Sequence, residues 1–432
     1  DMELANLVRG KSSREILLIT GIYAREDGTG DSGVIRDAPQ QLLVEVLAKE
    51  LEKNYSFALF VAERGTATKE VVYVLERQGF IRPHMADEND KRTIYMVDMH
   101  EPLMFLHNLD TTIKEPFASN PAVLDAVEKN HKKLQIAMTK LYPGNLVLSL
   151  SSGIMYHRLV DRITALNDVP REPLVPRRLG KNMCVPFGKI LRGKVVPNTV
   201  TKTLHTDKVY EPDLNSFTIE PFPYYSPLKS QIETIKSFDR PVILVDDLVH
   251  TANRLQVLVP QLREDGIPIK KVVVGVLSGY GRDLMQCLKV PVESIYSMPN
   301  LRQWFVESTL YPFIGGDTVR REEMKVAGLQ PSINMILPYA TPRLSGCSRE
   351  ALVEFSACCI ENSRDLFQVL EAEYRKMYAK NLTLSRLSEA VILPLCPDKG
   401  SCMEYDENLA ASVYLENDLE TLWRMKEFLI KG

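Results

Sequence analysis

Apolar positions along the chain follow two rhythms. Short unbroken apolar runs that end in polar turns fall at Phe57–Ala62, Leu146–Leu148, Pro241–Val245 and Val272–Leu277. Runs of this kind belong to strands covered on both faces. Between them, apolar residues recur at helical spacing: Leu42, Leu43, Val46, Leu47 and Leu51; Val123, Leu124, Val127, Leu134 and Met138; Leu255, Leu258, Val259 and Leu262. Strands alternating with helices predict an α/β fold with a parallel-sheet core.

Taken in order, the pattern predicts a strand over 15–25, a turn over 27–31 and a helix over 38–53. A strand over 57–62, a helix over 68–78 stopped by Gly79, and a strand over 92–99 follow. Asn120-Pro121 opens a helix that Pro143-Gly144 ends, which predicts a helical connector over 109–142. A parallel-sheet domain is expected over 143–320. Residues 321–432 read as mainly helical, with helices over 351–378, 384–391 and 413–431, and as a cap or dimerisation element.

The densest chemistry lies in Arg240–Arg254. A buried strand runs into Asp246-Asp247, a polar turn follows, and a helix begins. This is the arrangement of a ligand site at the carboxyl edge of an open α/β sheet. Amides at a helix N-terminus can hold a phosphate, and paired carboxylates can accept hydrogen bonds from sugar hydroxyls. Pro260 inside the helix removes a backbone donor and predicts a kink.

Val245-Asp246-Asp247-Leu248-Val249, with Thr251 beyond it, resembles the motif by which type I phosphoribosyltransferases bind 5-phosphoribosyl 1-pyrophosphate (PRPP). Two positions depart from the family pattern: Ala252 stands for the usual glycine and Arg254 for the closing threonine. Alanine carries a Cβ and resists the positive φ that glycine tolerates. The resemblance implies that Asp246 and Asp247 hold the ribose hydroxyls. It implies that His250, Thr251, Ala252, Asn253 and Arg254 hold the 5′-phosphate, with Mg²⁺ arriving on PRPP and bound by no protein group directly. Ser151-Ser152-Gly153 falls where the family binds pyrophosphate, and reads equally as a helix cap. Arg192, Lys194, Lys202 and Lys208 lie in a turn-rich basic stretch over 191–229, the place of the family's mobile lid or of a solvated surface loop. Trp304, or Phe305 beside it, is either a core side chain or the platform for an acceptor ring.

Residues 1–108 resemble part of a GNAT acetyltransferase, most clearly in Val61–Thr68 and Val72–Phe80. The segment aligned with that family's acyl-CoA loop, Arg36–Leu43, lacks both glycines, so a degenerate or truncated unit used structurally is expected, ahead of active acetyl transfer or a different α/β arrangement.

Bulk properties narrow the picture. At 432 residues the chain should hold several domains, and 45% apolar with 25% charged residues is a soluble globular composition. A net charge of −3 gives no reason to expect nucleic-acid binding, and no apolar run is long enough for a membrane helix. Seven cysteines without CxxC spacing read as reduced thiols of a cytoplasmic protein. Beginning at Asp1, the chain reads as a fragment or as carrying a foreign first residue. The expected function is phosphoribosyl transfer from PRPP to a base or small nucleophile in a specialised bacterial-type pathway. The alternative is a PRPP- or nucleotide-sensing regulator. Partners are expected to be small molecules, with a possible homodimer.

Overall fold

The computed structural model describes residues 15–22, 38–63, 68–83, 92–176, 178–321, 325–342, 344–399 and 404–431. The turn expected over 27–31, Arg36-Asp37, the segment Arg64–Ala67 and Cys402 lie outside the described residues.

In chain order the elements are β1 (Ile16–Ile19), α1 (Ala38–Glu50), β2 (Phe57–Glu63), α2 (Lys69–Glu76), β3 (Arg92–His107), α3 (Pro121–Leu141), β4 (Asn145–Ser151), α4 (Ser152–Leu166), β5 (Met183–Pro186) and β6 (Val200–Thr201). They continue with β7 (Thr206–Tyr210), β8 (Phe217–Pro221), α5 (Leu228–Lys236), β9 (Val242–Val249), α6 (Asn253–Glu264), β10 (Ile269–Ser278), α7 (Gly279–Cys287) and β11 (Val292–Met298). The last are β12 (Gln303–Val306), the single-turn α8 (Glu307–Leu310), β13 (Asp317–Val319), β14 (Gln330–Ile333), α9 (Arg349–Tyr378), β15 (Leu395–Pro397) and α10 (Ala411–Lys431). The fold is α/β with parallel-rich sheets. Among the described residues, no helix is long and apolar enough to cross a membrane.

The chain divides into two compact units, and neither is a continuous segment. The first comprises residues 1–150, 300–316 and 334–432, and the second 151–299 and 317–333. These units run across the boundaries expected at 108, 142 and 320. Periodicity identifies elements, whereas which strands share a sheet is decided by pairing across distant sequence.

In the first unit, β1 lies parallel to β2 and β2 antiparallel to β3. β3 is 16 residues long, twice the strand expected, because it has further partners: β4 and the parallel β12. Helix α3 starts at the Asn120 cap, whose Oδ1 accepts from the amides of Ala122 and Val123 at 2.9 and 3.3 Å, with Pro121 in the first turn, where its missing N–H costs nothing. α3 packs on α9, and α9 on α10. Asn130 and Asn362 lock α3 to α9, each amide donating to the other residue's backbone carbonyl, at 2.8 and 3.0 Å.

The second unit is built on a parallel sheet in the order β11-β10-β9-β5-β6. Val242 and Leu244 of β9 and Val272 and Val274 of β10 face a cluster formed with α5, α6 and α7 through Ile232, Ile235, Leu258, Leu262 and Met285. Strand side chains alternate, so the intervening positions face the other side. There Gly275 of β10 lets α4 come close: a Cβ would sit 2.1 Å from Met155 Sδ. This two-sided burial explains the unbroken apolar runs. The stretch 191–229 is not a structureless lid. It carries β6, the antiparallel hairpin β7–β8 and the start of α5, and the returning segment places β13 parallel to β7 with β14 antiparallel to β13.

Candidate functional site

Counted by position in the chain, the second unit's strands lie in the order second, first, third, fourth, fifth. In open α/β sheets of this type, ligands bind beyond the carboxyl ends of the strands where the order reverses, here between β5 and β9. The register places the acidic pair at that point. On the β5 side, β9 has its last paired residue at Val245, opposite Pro186; on the β10 side, pairing continues through Asp246 to Val249. The expected strand over 241–245 therefore runs past both carboxylates.

The turn after β5 closes over them. The amides of Lys189 and Ile190 donate to Asp247 Oδ2 and Oδ1 at 2.7 and 3.0 Å. Asp246 Oδ1 accepts from the Asp247 amide at 2.8 Å and lies 3.8 Å from Arg254 Nη1. Gly188 makes this possible, since a Cβ there would stand 2.5 Å from Asp247 Oδ1 and 2.8 Å from Asp246 Oδ1. Burial raises the Asp246 carboxyl to about 7; Arg254 pulls it down and Asp247 pushes it up.

Cations surround the pair. Lys189 is half-buried and held below the usual lysine range by desolvation and by Arg192, while Asp317 and Asp207 oppose the effect. Arg192 is lowered by burial and by Arg254, and its guanidinium lies 5.0 Å from the Phe222 ring centroid. Asp317 is raised by burial, with Lys208, Lys189 and Arg254 drawing it back. Lys189, Arg192 and Arg254 gather beside two carboxylates, which suits a ligand that carries both phosphate and hydroxyl groups.

The turn after β9 is cross-braced. Asn253 Nδ2 donates to Thr251 Oγ1 at 2.8 Å and Gln256 Nε2 to the Thr251 carbonyl at 3.1 Å. His250 Nδ1 lies 2.8 Å from Ser278 Oγ, and burial lowers its pKa. Ala252 takes the left-handed conformation, φ 50°, and supplies no side-chain cap to α6. The first amides of that 12-residue helix are thus available to an anion.

The other expected site residues distribute differently. Ser151 ends β4, a strand of the first unit's sheet, and its Oγ accepts from the Ile154 amide at 3.5 Å, so it caps α4. Ser152 and Gly153 are the first residues of α4. Within the parallel sheet, the turn after the first strand is Phe187–Arg192, of which only Arg192 stood among the expected site residues, as part of the basic stretch. Gly188 and Lys189, directly after the apolar Met183–Phe187, were the available signal. Lys202 is exposed. Lys208 lies on β7, its ammonium 4.1 Å from the Phe217 ring centroid, and it contributes to the field at Asp317. Ser278, at the end of β10, caps α7, its Oγ accepting from the Gly281 amide at 3.0 Å. Trp304 sits on β12, which pairs with β3, and so belongs to the first unit; Phe305 beside it is buried.

No protein-family model matches the chain, and no curated protein matches it. Among solved structures, the chain is similar to a purine phosphoribosyltransferase from Pyrococcus horikoshii Ot3, at 14% identity and a TM-score of 0.23, over 36% of this chain and 87% of that one. A likeness at that level assigns no residue its role.

Proposed function

We propose that the second unit binds PRPP with Mg²⁺ and transfers its phosphoribosyl group to a small nucleophile. The observation that carries this reading is the meeting of Asp246 and Asp247 with Lys189, Arg192 and Arg254 where the sheet order reverses. In this reading the first amides of α6 and Arg254 take the 5′-phosphate, the turn 188–192 takes pyrophosphate, and Asp246 takes a ribose hydroxyl. Displacement at the anomeric carbon needs stabilisation of the leaving pyrophosphate and alignment of the reactants, with no protein nucleophile. Mg²⁺ would come with the substrate.

A second reading, a PRPP or nucleotide sensor without turnover, is favoured by two observations. Both Asp247 oxygens are engaged by backbone amides, and Ala252 places a methyl group where the family has none. Calorimetric titration with PRPP and Mg²⁺, followed by pyrophosphate release in the presence of a panel of bases, separates the two. Binding with release supports transfer, and binding alone supports sensing. Intact binding and turnover in a doubly substituted Asp246→Asn, Asp247→Asn chain would remove the site from this location.

A further inference from the structure

We infer that His107, His131 and Glu307 of the first unit form a binding site for one divalent first-row transition metal, with zinc as the expected occupant. One nitrogen from each imidazole and a carboxylate oxygen lie within 4.8 Å of one another. Two imidazoles and a carboxylate suit zinc, and three protein ligands leave a coordination position for water.

Strand register builds the group. β12 runs parallel to β3 with Val306 opposite Leu106, so His107 and Glu307 leave the sheet side by side. Asn108 and Ser308, both buried, fasten the next residues together: Asn108 Nδ2 donates to Ser308 Oγ and the Ser308 amide to Asn108 Oδ1, each at 2.9 Å. His131 reaches in from the middle of α3, with its Nδ1 2.6 Å from Glu307 Oε1. Tyr311 Oη donates to the same oxygen at 3.3 Å and is itself held by Asn362 at 3.0 Å. The ligands therefore stand on a supported frame.

A second observation points to an ion. Glu307 is fully buried, yet among the described residues its Oε2 has no hydrogen-bond partner, and neither has His107 Nδ1. These two atoms face each other at 3.7 Å, too far for a hydrogen bond. Two ligand atoms on a tetrahedral zinc are ~3.4 Å apart, so an ion fits between them with little movement. The short His131–Glu307 contact is the hydrogen bond that the ion replaces. Part of each imidazole reaches solvent, with side-chain exposures of 14% for His107 and 21% for His131, which gives a metal a way in.

Gln135 adds a specific requirement. Its Oε1 accepts from Arg77 Nε, so its Nε2 is the group that meets His107 Nε2, at 2.8 Å. His107 Nε2 is then an acceptor and Nδ1 carries the hydrogen. Ligation through Nδ1 needs the other tautomer, with Nε2–H donating to an acceptor. The Gln135 amide must turn to supply one. A carboxylate at 135 would accept from Arg77 and His107 together.

The test uses the full, untagged chain stripped with chelator, titrated with Zn²⁺ by calorimetry and with Co²⁺ by visible absorption. One zinc per chain is expected, with d–d bands of low-coordinate cobalt. His131→Ala and Glu307→Gln should each abolish the stoichiometric site, and Gln135→Glu should tighten it by about 10-fold, the converse of the loss seen when such support is removed. Absence of stoichiometric binding would overturn the inference, as would a site that survives His131→Ala. If Glu307→Gln does not fold, the part-exposed His131 and the Gln135→Glu gain still decide the matter.

Discussion

At the scale of single residues, Gly188 and Ala252 carry opposite lessons about a methyl group. Gly188→Ala would drive a Cβ into both carboxylates, so the Lys189 and Ile190 amides lose their acceptor at about 1–3 kcal/mol for each buried group left unpaired. A lowered melting temperature and lost PRPP binding are expected together. Ala252→Gly acts differently. Relief of the left-handed strain, about 1–2 kcal/mol, is offset by chain entropy of ~0.5–1 and a lost buried methyl of ~0.8 kcal/mol. Stability should stay within about 1 kcal/mol of the parent, while phosphate, titrated calorimetrically, binds more tightly. Asp246 supplies the pH dependence. Its folded pKa of about 7 lies above the ordinary aspartate value, so the folded state holds the extra proton. Its contribution is complete below the unfolded pKa and is lost as pH rises towards 7. Denaturant titrations from pH 4 to 7 should show the parent losing stability relative to Asp246→Asn as pH rises.

Elements were legible where burial repeats at a fixed period. The strands at 57–63 and 242–249 and the helices α3, α6 and α9 match their apolar patterns because each packs along a constant face. Pairing was not legible. Nothing near Asn145 or Gln303 announces that β4 and β12 join β3, since that choice rests on partners far away in the chain. The basic stretch after Arg192 was equally opaque, because the half-exposed hairpin β7–β8 lacks a strong apolar alternation. The acidic pair was readable because it ends a fully buried run. The Gly188–Arg192 turn was not, because its role comes from lying across from β9. Leu244, fully buried in β9, sets the scale of the sheet's packing: Leu244→Ala should cost about 2–5 kcal/mol in denaturant midpoint analysis. Substituting exposed Lys202 by Ala should stay within about 0.5 kcal/mol.

For the whole molecule, the decisive fact is that the second unit's chain interrupts the first. Residues 300–316 return to the first unit before 317–333 rejoin the second. Helices α9 and α10 complete the first unit from the far end of the sequence, with Val353, Phe355, Ile360 and Leu366 fully buried. A chain ended at Ser348 should therefore lose the cooperative melting of the first unit, which would be followed by circular dichroism and by proteolysis within β1–β4.

The partnership of β3 with β12 has a consequence in time. During synthesis, about 200 residues separate the two strands, which at ~5–20 residues per second is ~10–40 s of translation. Throughout that interval the newborn β3 carries a strand edge awaiting its partner, a surface on which two nascent chains can pair with each other. The yield of native protein from cells should accordingly rise when holdase chaperones are supplied, and Leu103 to Leu106 is the segment where such help would act.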